Sequence, residues 1–164
     1  MPASRDTTPF FSLFFSVLMA LFLTTLPIAK EWQWAQPQWL LLIVLYWGFM
    51  LPHRFGILSA WIIGLLLDCV GSGLIGLHGL VMAIIAQLVY LLHIRMRTFP
   101  AWQKGAVIFV LVGLYQTILR LINSVLGYPT PEGLFYYLSS VSSVLVWPLL
   151  VWMLSPSIKK NRYS

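Results

Sequence analysis

The sequence predicts an all-α integral membrane protein: a six-transmembrane-helix bundle with short loops and both termini on the cytoplasmic side. Three observations predict it. First, 60% of the 164 residues are hydrophobic, 9% are charged, and the mean hydropathy is +0.87, whereas a soluble domain carries about 25% charged residues. A soluble chain of this length must turn much of its surface to water and cannot hide so many apolar side chains. Second, the apolar residues fall into six runs separated by Pro, Gly and charged breaks. Third, the basic residues gather in alternate connectors. A water-soluble enzyme, a disordered tail and a secreted disulfide scaffold are excluded by composition alone. Residues 1–164 are expected to form a single membrane domain, with no room for a folded soluble domain beside the bundle. The 15% aromatic content, with eight Trp, suits side chains that settle at membrane–water interfaces.

The first run spans 9–29 and follows a polar stretch with Arg5 and Asp6. A signal peptide is the competing reading. The exit Leu26-Pro27-Ile28-Ala29 lacks a small residue three before a cut, so a retained helix is expected. The second run, 37–51, is short, about 22 Å at 1.5 Å per residue. Trp32, Trp34 and Trp39 mark an outer interface, and Pro52-His53-Arg54 ends the run. The third run is 56–70 and the fourth 75–94, parted by Gly71-Ser72-Gly73 with Gly76 just beyond. Glycines so closely spaced predict a tight turn rather than one long helix. A basic connector over 95–104 holds Pro100 and Trp102. The fifth run is 105–126, and Gly127-Tyr128-Pro129-Thr130-Pro131-Glu132-Gly133 reads as a loop. The sixth run is 134–154, with Pro148 as an expected kink.

Charge orients these runs. The N-terminus, the 52–55 turn, the 95–104 connector and the tail carry Arg5, Arg54, Arg95, Arg97, Lys104, Lys159, Lys160 and Arg162 against Asp6 alone. The opposite connectors carry Lys30 against Glu31 and Glu132. Short basic loops stay in the cytoplasm, which places both termini there. Merging the third and fourth runs would break the alternation.

Two ionisable residues remain inside runs, Asp68 and Arg120. A charge in hydrocarbon costs at least a few kcal/mol, so each needs a partner or water. Gly56, Ala60, Gly64 and Asp68 recur every four residues on one helix face, a packing seam of small residues that permits close helix approach. Gly113, Gln116, Arg120, Asn123 and Gly127 make a polar stripe on the fifth helix, flanked by Thr117 and Ser124. Asp68 lies about 18 Å along its helix from Gly56 and Arg120 about 22 Å from Gly105. Similar depth predicts an Asp68–Arg120 pair, direct or through Gln116, Asn123 or water. The alternatives are a capping role for Asp68 at the glycine turn and snorkelling of Arg120 to the outer interface.

The remaining reactive residue types suggest no chemistry. A lone carboxylate without a second acid, nucleophile or metal set is not an active site, so no enzyme, cofactor or metal is expected. His53, His78 and His93 belong to different turns or helix ends and read as interfacial or structural. Cys69 has no partner in the chain and reads as a small buried hydrophobe. Ser139, Ser140, Ser142 and Ser143 read as a packing face rather than as nucleophiles.

The stretch Pro37-Gln38-Trp39-Leu40-Leu41-Leu42, continuing through Tyr46-Trp47 to Pro52-His53-Arg54, resembles the rod shape-determining protein MreD family. Gly64, Asp68 and Gly76 extend the resemblance, which runs from about Trp39 to Tyr90. In that family an aspartate at the end of the third helix leads into a glycine-rich turn and commonly has glycine four residues on; here that position is Ser72, flanked by Gly71 and Gly73. The resemblance implies a non-enzymatic, multi-pass scaffold in the bacterial inner membrane. It would serve the cell-elongation machinery that sets rod shape through peptidoglycan synthesis. The implied partners are MreC, MreB, RodA and the elongation-specific penicillin-binding protein, with membrane lipid and no nucleic acid. It also implies a fold similar to the six-helix substrate-binding subunits of vitamin transporters. The alternative function is therefore substrate capture for such a transporter, with Asp68, Gln87, Gln116, Arg120 and Asn123 as candidates. Pro52, His53 and Arg54 are the preferred cytoplasmic contact for a partner. The basic surface of Arg54, Arg95, Arg97 and Lys104 would meet anionic lipid or an acidic partner, unless it serves orientation alone.

Overall fold

The computed structural model describes residues 8–26, 36–53, 55–71, 74–128 and 137–159. Arg54, Trp32, Trp34, the 27–29 exit and the 129–133 loop lie outside the described residues. Six helices follow in order: α1 Thr8–Thr25, α2 Trp39–Met50, α3 Ile57–Val70, α4 Leu77–Thr98, α5 Ala101–Val125 and α6 Leu138–Lys159. No strand occurs among the described residues.

The shortest helix is the central one. All of Leu40–Phe49 is buried, and α2 packs against α1, α3, α4 and α6. A helix apolar on every side has no face to offer water and belongs inside its neighbours. Its edges are tied by the few polar groups nearby. The Trp47 indole donates to Ser16 Oγ of α1 at 3.0 Å. Before α2 begins, the Gln38 backbone N–H donates to Ser143 Oγ at 3.1 Å, and Ser139 Oγ donates to the Gln36 carbonyl at 2.6 Å. The serines of α6 thus form a buried packing face that also satisfies the backbone entering α2. Gly48 lets α4 come close to α2, since a Cβ there would stand 2.7 Å from Val89 Cγ1.

The other helices bury one side and turn the other outward. Phe11, Phe15, Leu58, Ile62, Leu91 and Val110 are among many large apolar side chains left exposed. Two stretches, Leu77–Met96 and Trp102–Val125, are long and apolar enough to cross a membrane; the remaining helices contribute shorter apolar segments.

Three boundaries depart from expectation. The first helix stops at Thr25. The 95–104 connector contracts to Phe99 and Pro100. Arg95 and Arg97 extend α4, because long basic side chains are good helix formers and suit a helix C-terminus. Pro100, with φ −65° and ψ 163°, turns the chain into α5, whose first residues need no N–H donor from it. α6 starts at Leu138 and runs unbroken through Pro148.

Candidate functional site

The third and fourth helices meet backbone to backbone. A Cβ on Gly64 would overlap Gly79 Cα and lie 2.6 Å from the Gly79 nitrogen, and a Cβ on Gly79 would lie 3.1 Å from the Trp61 carbonyl oxygen. Ala60 is fully buried beside this crossing. Gly56 is exposed with nothing within 4 Å of an added Cβ. The seam expected from Gly56, Ala60 and Gly64 is therefore shorter than its spacing suggests. Two straight helices that touch at Gly64 diverge away from the crossing, and Gly56 lies two turns from it.

One turn past Gly64 stands Asp68, only 3% exposed. Its carboxylate faces the N-terminus of α4. The Gly76 N–H donates to Oδ2 at 2.8 Å, the Gly79 N–H to Oδ2 at 3.3 Å and the His78 N–H to Oδ1 at 3.3 Å. The His78 ring donates from Nδ1 to Oδ1 at 2.6 Å. Helix α4 needs this borrowed acceptor. Its N-cap residue is Gly76, at φ +96°, which supplies the left-handed turn but has no side chain to cap with. A carboxylate eight residues upstream fills the role and meets the positive end of the helix dipole. Hydrogen bonds to a charged group contribute about 1.5–3 kcal/mol each, and orphaned buried donors cost a similar amount.

No direct Asp68–Arg120 ion pair occurs among the described residues; the Asp68 carboxylate instead lies 2.6 Å from His78 Nδ1. Both carboxylate oxygens are occupied by α4, so capping is the role Asp68 takes. Gln116 is buried and accepts a hydrogen bond from Ser140 Oγ at 2.6 Å. Thr117 Oγ1 lies 3.1 Å from the Tyr137 hydroxyl. The polar stripe of α5 thus meets the start of α6, while Arg120 and Asn123 are half-buried. Gly127, at φ +74°, closes α5: its N–H donates to the Ser124 carbonyl and the Tyr128 N–H to that of Asn123, a Schellman ending.

At the opposite end of α4, Pro52 is buried and His53 exposed; the third residue of that contact, Arg54, is among those not described. The His53 ring lies 6.3 Å from that of His93, and His93 donates to the Tyr90 carbonyl. His78 and His93 therefore mark the two ends of α4, about 22 Å apart. Cys69 is exposed, not buried, because it follows Asp68 on α3 and points away from the α4 seam. Among the described residues no group of three His, Cys, Asp or Glu could hold a metal. His78 is the partner that sequence reasoning missed. The available signal was a helix start with no capping side chain of its own, next to an otherwise unmatched buried acid.

The model of the family described as rod shape-determining protein MreD matches residues 4–156. The rod shape-determining protein MreD of Haemophilus influenzae is 26% identical over 151 residues, covering 90% of this chain and 89% of that protein. No solved structure matches.

Proposed function

The chain belongs to the rod shape-determining protein MreD family, and on that premise we propose that it is a non-enzymatic scaffold of the cell-elongation complex. Members of the family are membrane proteins with a structural role in determining rod shape. In our reading all six helices cross the bacterial inner membrane, with both termini in the cytoplasm. The contact between His53 and His93 supports this threading. It brings the turn after α2 beside the end of α4, so two basic connectors share one end of the bundle.

The filled centre of the bundle carries the scaffold reading. Ten consecutive residues of α2, Leu40–Phe49, occupy the place where a transporter subunit would need a polar cavity. Of the residues expected to line such a cavity, three are placed elsewhere, while Arg120 and Asn123 are half-buried on α5. Asp68 caps α4, Gln116 bonds Ser140, and Gln87 faces outward. Outward helix faces and short turns are left for binding. MreC is the partner we expect first, then MreB, RodA and the elongation-specific penicillin-binding protein. The Pro52-His53-Arg54 turn is the cytoplasmic contact in this proposal, with His53 exposed and Pro52 buried.

Affinity capture from native membranes tests the reading. Recovery of MreC is expected. Recovery of an energising ATPase or a bound vitamin without MreC overturns it. Reporter fusions should place both termini in the cytoplasm, and termini in opposite compartments would refute the threading. Arg54→Glu should lower partner recovery and perturb rod shape, and normal values for both would remove the turn from the proposal.

A further inference from the structure

Helices α5 and α6 are joined at one end and parted at the other. Gln116 and Ser140 bond across them, yet toward the start of α5 they leave an open cleft of about 1040 Å³. That volume is at the top of the range of small-molecule sites, roughly 300–1,000 Å³. Val110, Val141, Leu145 and Val151 give it an aliphatic wall, and Trp102, Trp147 and Trp152 stand around it. Pro148 is also in the lining; it has no N–H for the Val144 carbonyl, and α6 runs on unbroken through it. Among the described residues Lys104 is the only charged side chain in the lining.

We propose that this cleft binds one anionic phospholipid, its acyl chains along the aliphatic wall and its phosphate on Lys104. The proposal rests on the membrane-spanning reading but not on any protein partner. Charge selects the occupant. An apolar helix of another protein lying in the cleft would bury the Lys104 ammonium without a counter-charge, a costly arrangement. A second copy of this chain in the same membrane orientation would bring its own basic end toward Lys104, and that end holds Arg95, Arg97 and Lys104 with no acid among the described residues. A phosphate supplies the missing anion, and the indoles of Trp102 and Trp152, both largely exposed, suit the headgroup level beside it. Basic sites between transmembrane helices on the cytoplasmic side are suited to anionic headgroups.

Native mass spectrometry of the full-length protein released from vesicles of equal phosphatidylglycerol and phosphatidylcholine, with matched chains, tests this. One phosphatidylglycerol should be retained in preference to phosphatidylcholine. Lys104→Gln should lower that preference about fivefold, whereas Arg95→Gln, at the same end but outside the lining, should leave it unchanged. Val110→Trp should fill the cleft and release the bound lipid of either kind. Each variant is first checked for an unchanged elution profile and melting temperature, and Lys104→Glu replaces Lys104→Gln if the latter misfolds. Equal retention of the two lipids by the unmodified chain overturns the proposal, as does the same response from Lys104→Gln and Arg95→Gln. Cysteine cross-linking from position 110 in a Cys69→Ser background that yields a dimer or a partner adduct overturns it in favour of a protein occupant. Failure here leaves MreC recovery unaffected, and absence of MreC leaves lipid selectivity unaffected.

Discussion

The α3–α4 and α5–α6 hairpins use the same ingredients to opposite ends. In the first, glycine faces glycine, the backbones touch, and a buried carboxylate fastens the turn. In the second, a glycine faces a valine across ordinary contact distance, with a Cβ on Gly105 placed 3.5 Å from Val144 Cγ1, and a cleft lined by tryptophans and a proline lies open between the helices. Closeness in a membrane comes from what is absent from a helix face, since lipid provides no hydrophobic drive for association. The closed hairpin is suited to rigidity and the open one to binding.

Substitutions that break the closed hairpin should have the largest effects. Asp68→Ala orphans three backbone donors and the His78 ring at once and should destabilise the protein by about 3–5 kcal/mol, read as thermal unfolding in detergent. Removing His78 as well should then cost less than the sum of the single losses, and strict additivity would deny the pairing. Gly64→Ala forces the helices apart and should cost on the order of 3 kcal/mol. Gly56→Ala on the same helix, with open space around it, should be within about 0.5 kcal/mol of neutral. Ser140→Ala removes the hydrogen bond that joins α5 to α6 and should cost about 1 kcal/mol. The smallest effect sharpens the contrast most: Gly105→Ala in the open hairpin should be neutral or stabilise by up to about 1 kcal/mol, the helix-propensity gain. Equal damage from Gly64→Ala and Gly105→Ala would erase the distinction.

Much of the architecture is legible in the sequence because it is local. The glycines after Val70 part α3 from α4, and the small residues Ala60 and Gly64 mark a face for close approach. What is not local is less legible. Spacing extends the seam to Gly56, but a crossing angle ends it sooner. Arg95 and Arg97 read as loop residues, yet a charge at a helix end is as compatible with one more turn as with a break. Asp68 is recognisable as a buried acid in need of a partner, but depth alone points to Arg120. Three of the four donors are backbone groups at the start of α4, which every sequence possesses and none advertises; the fourth is the His78 ring. The central position of α2 has a signal in the absence of any polar face, visible only when all six helices are weighed together.

The borrowed cap also constrains biosynthesis. Helix α2 has no polar side chain in need of a partner other than the Tyr46 hydroxyl and the Trp39 and Trp47 indoles, so in the proposed threading it can wait in lipid until its neighbours arrive. Helix α3 cannot, because Asp68 alone in hydrocarbon costs about 2.5–3.5 kcal/mol and its donors lie 8 to 11 residues further along the chain. Under the threading proposed above, α3 and α4 are expected to enter the bilayer together, as a single hairpin.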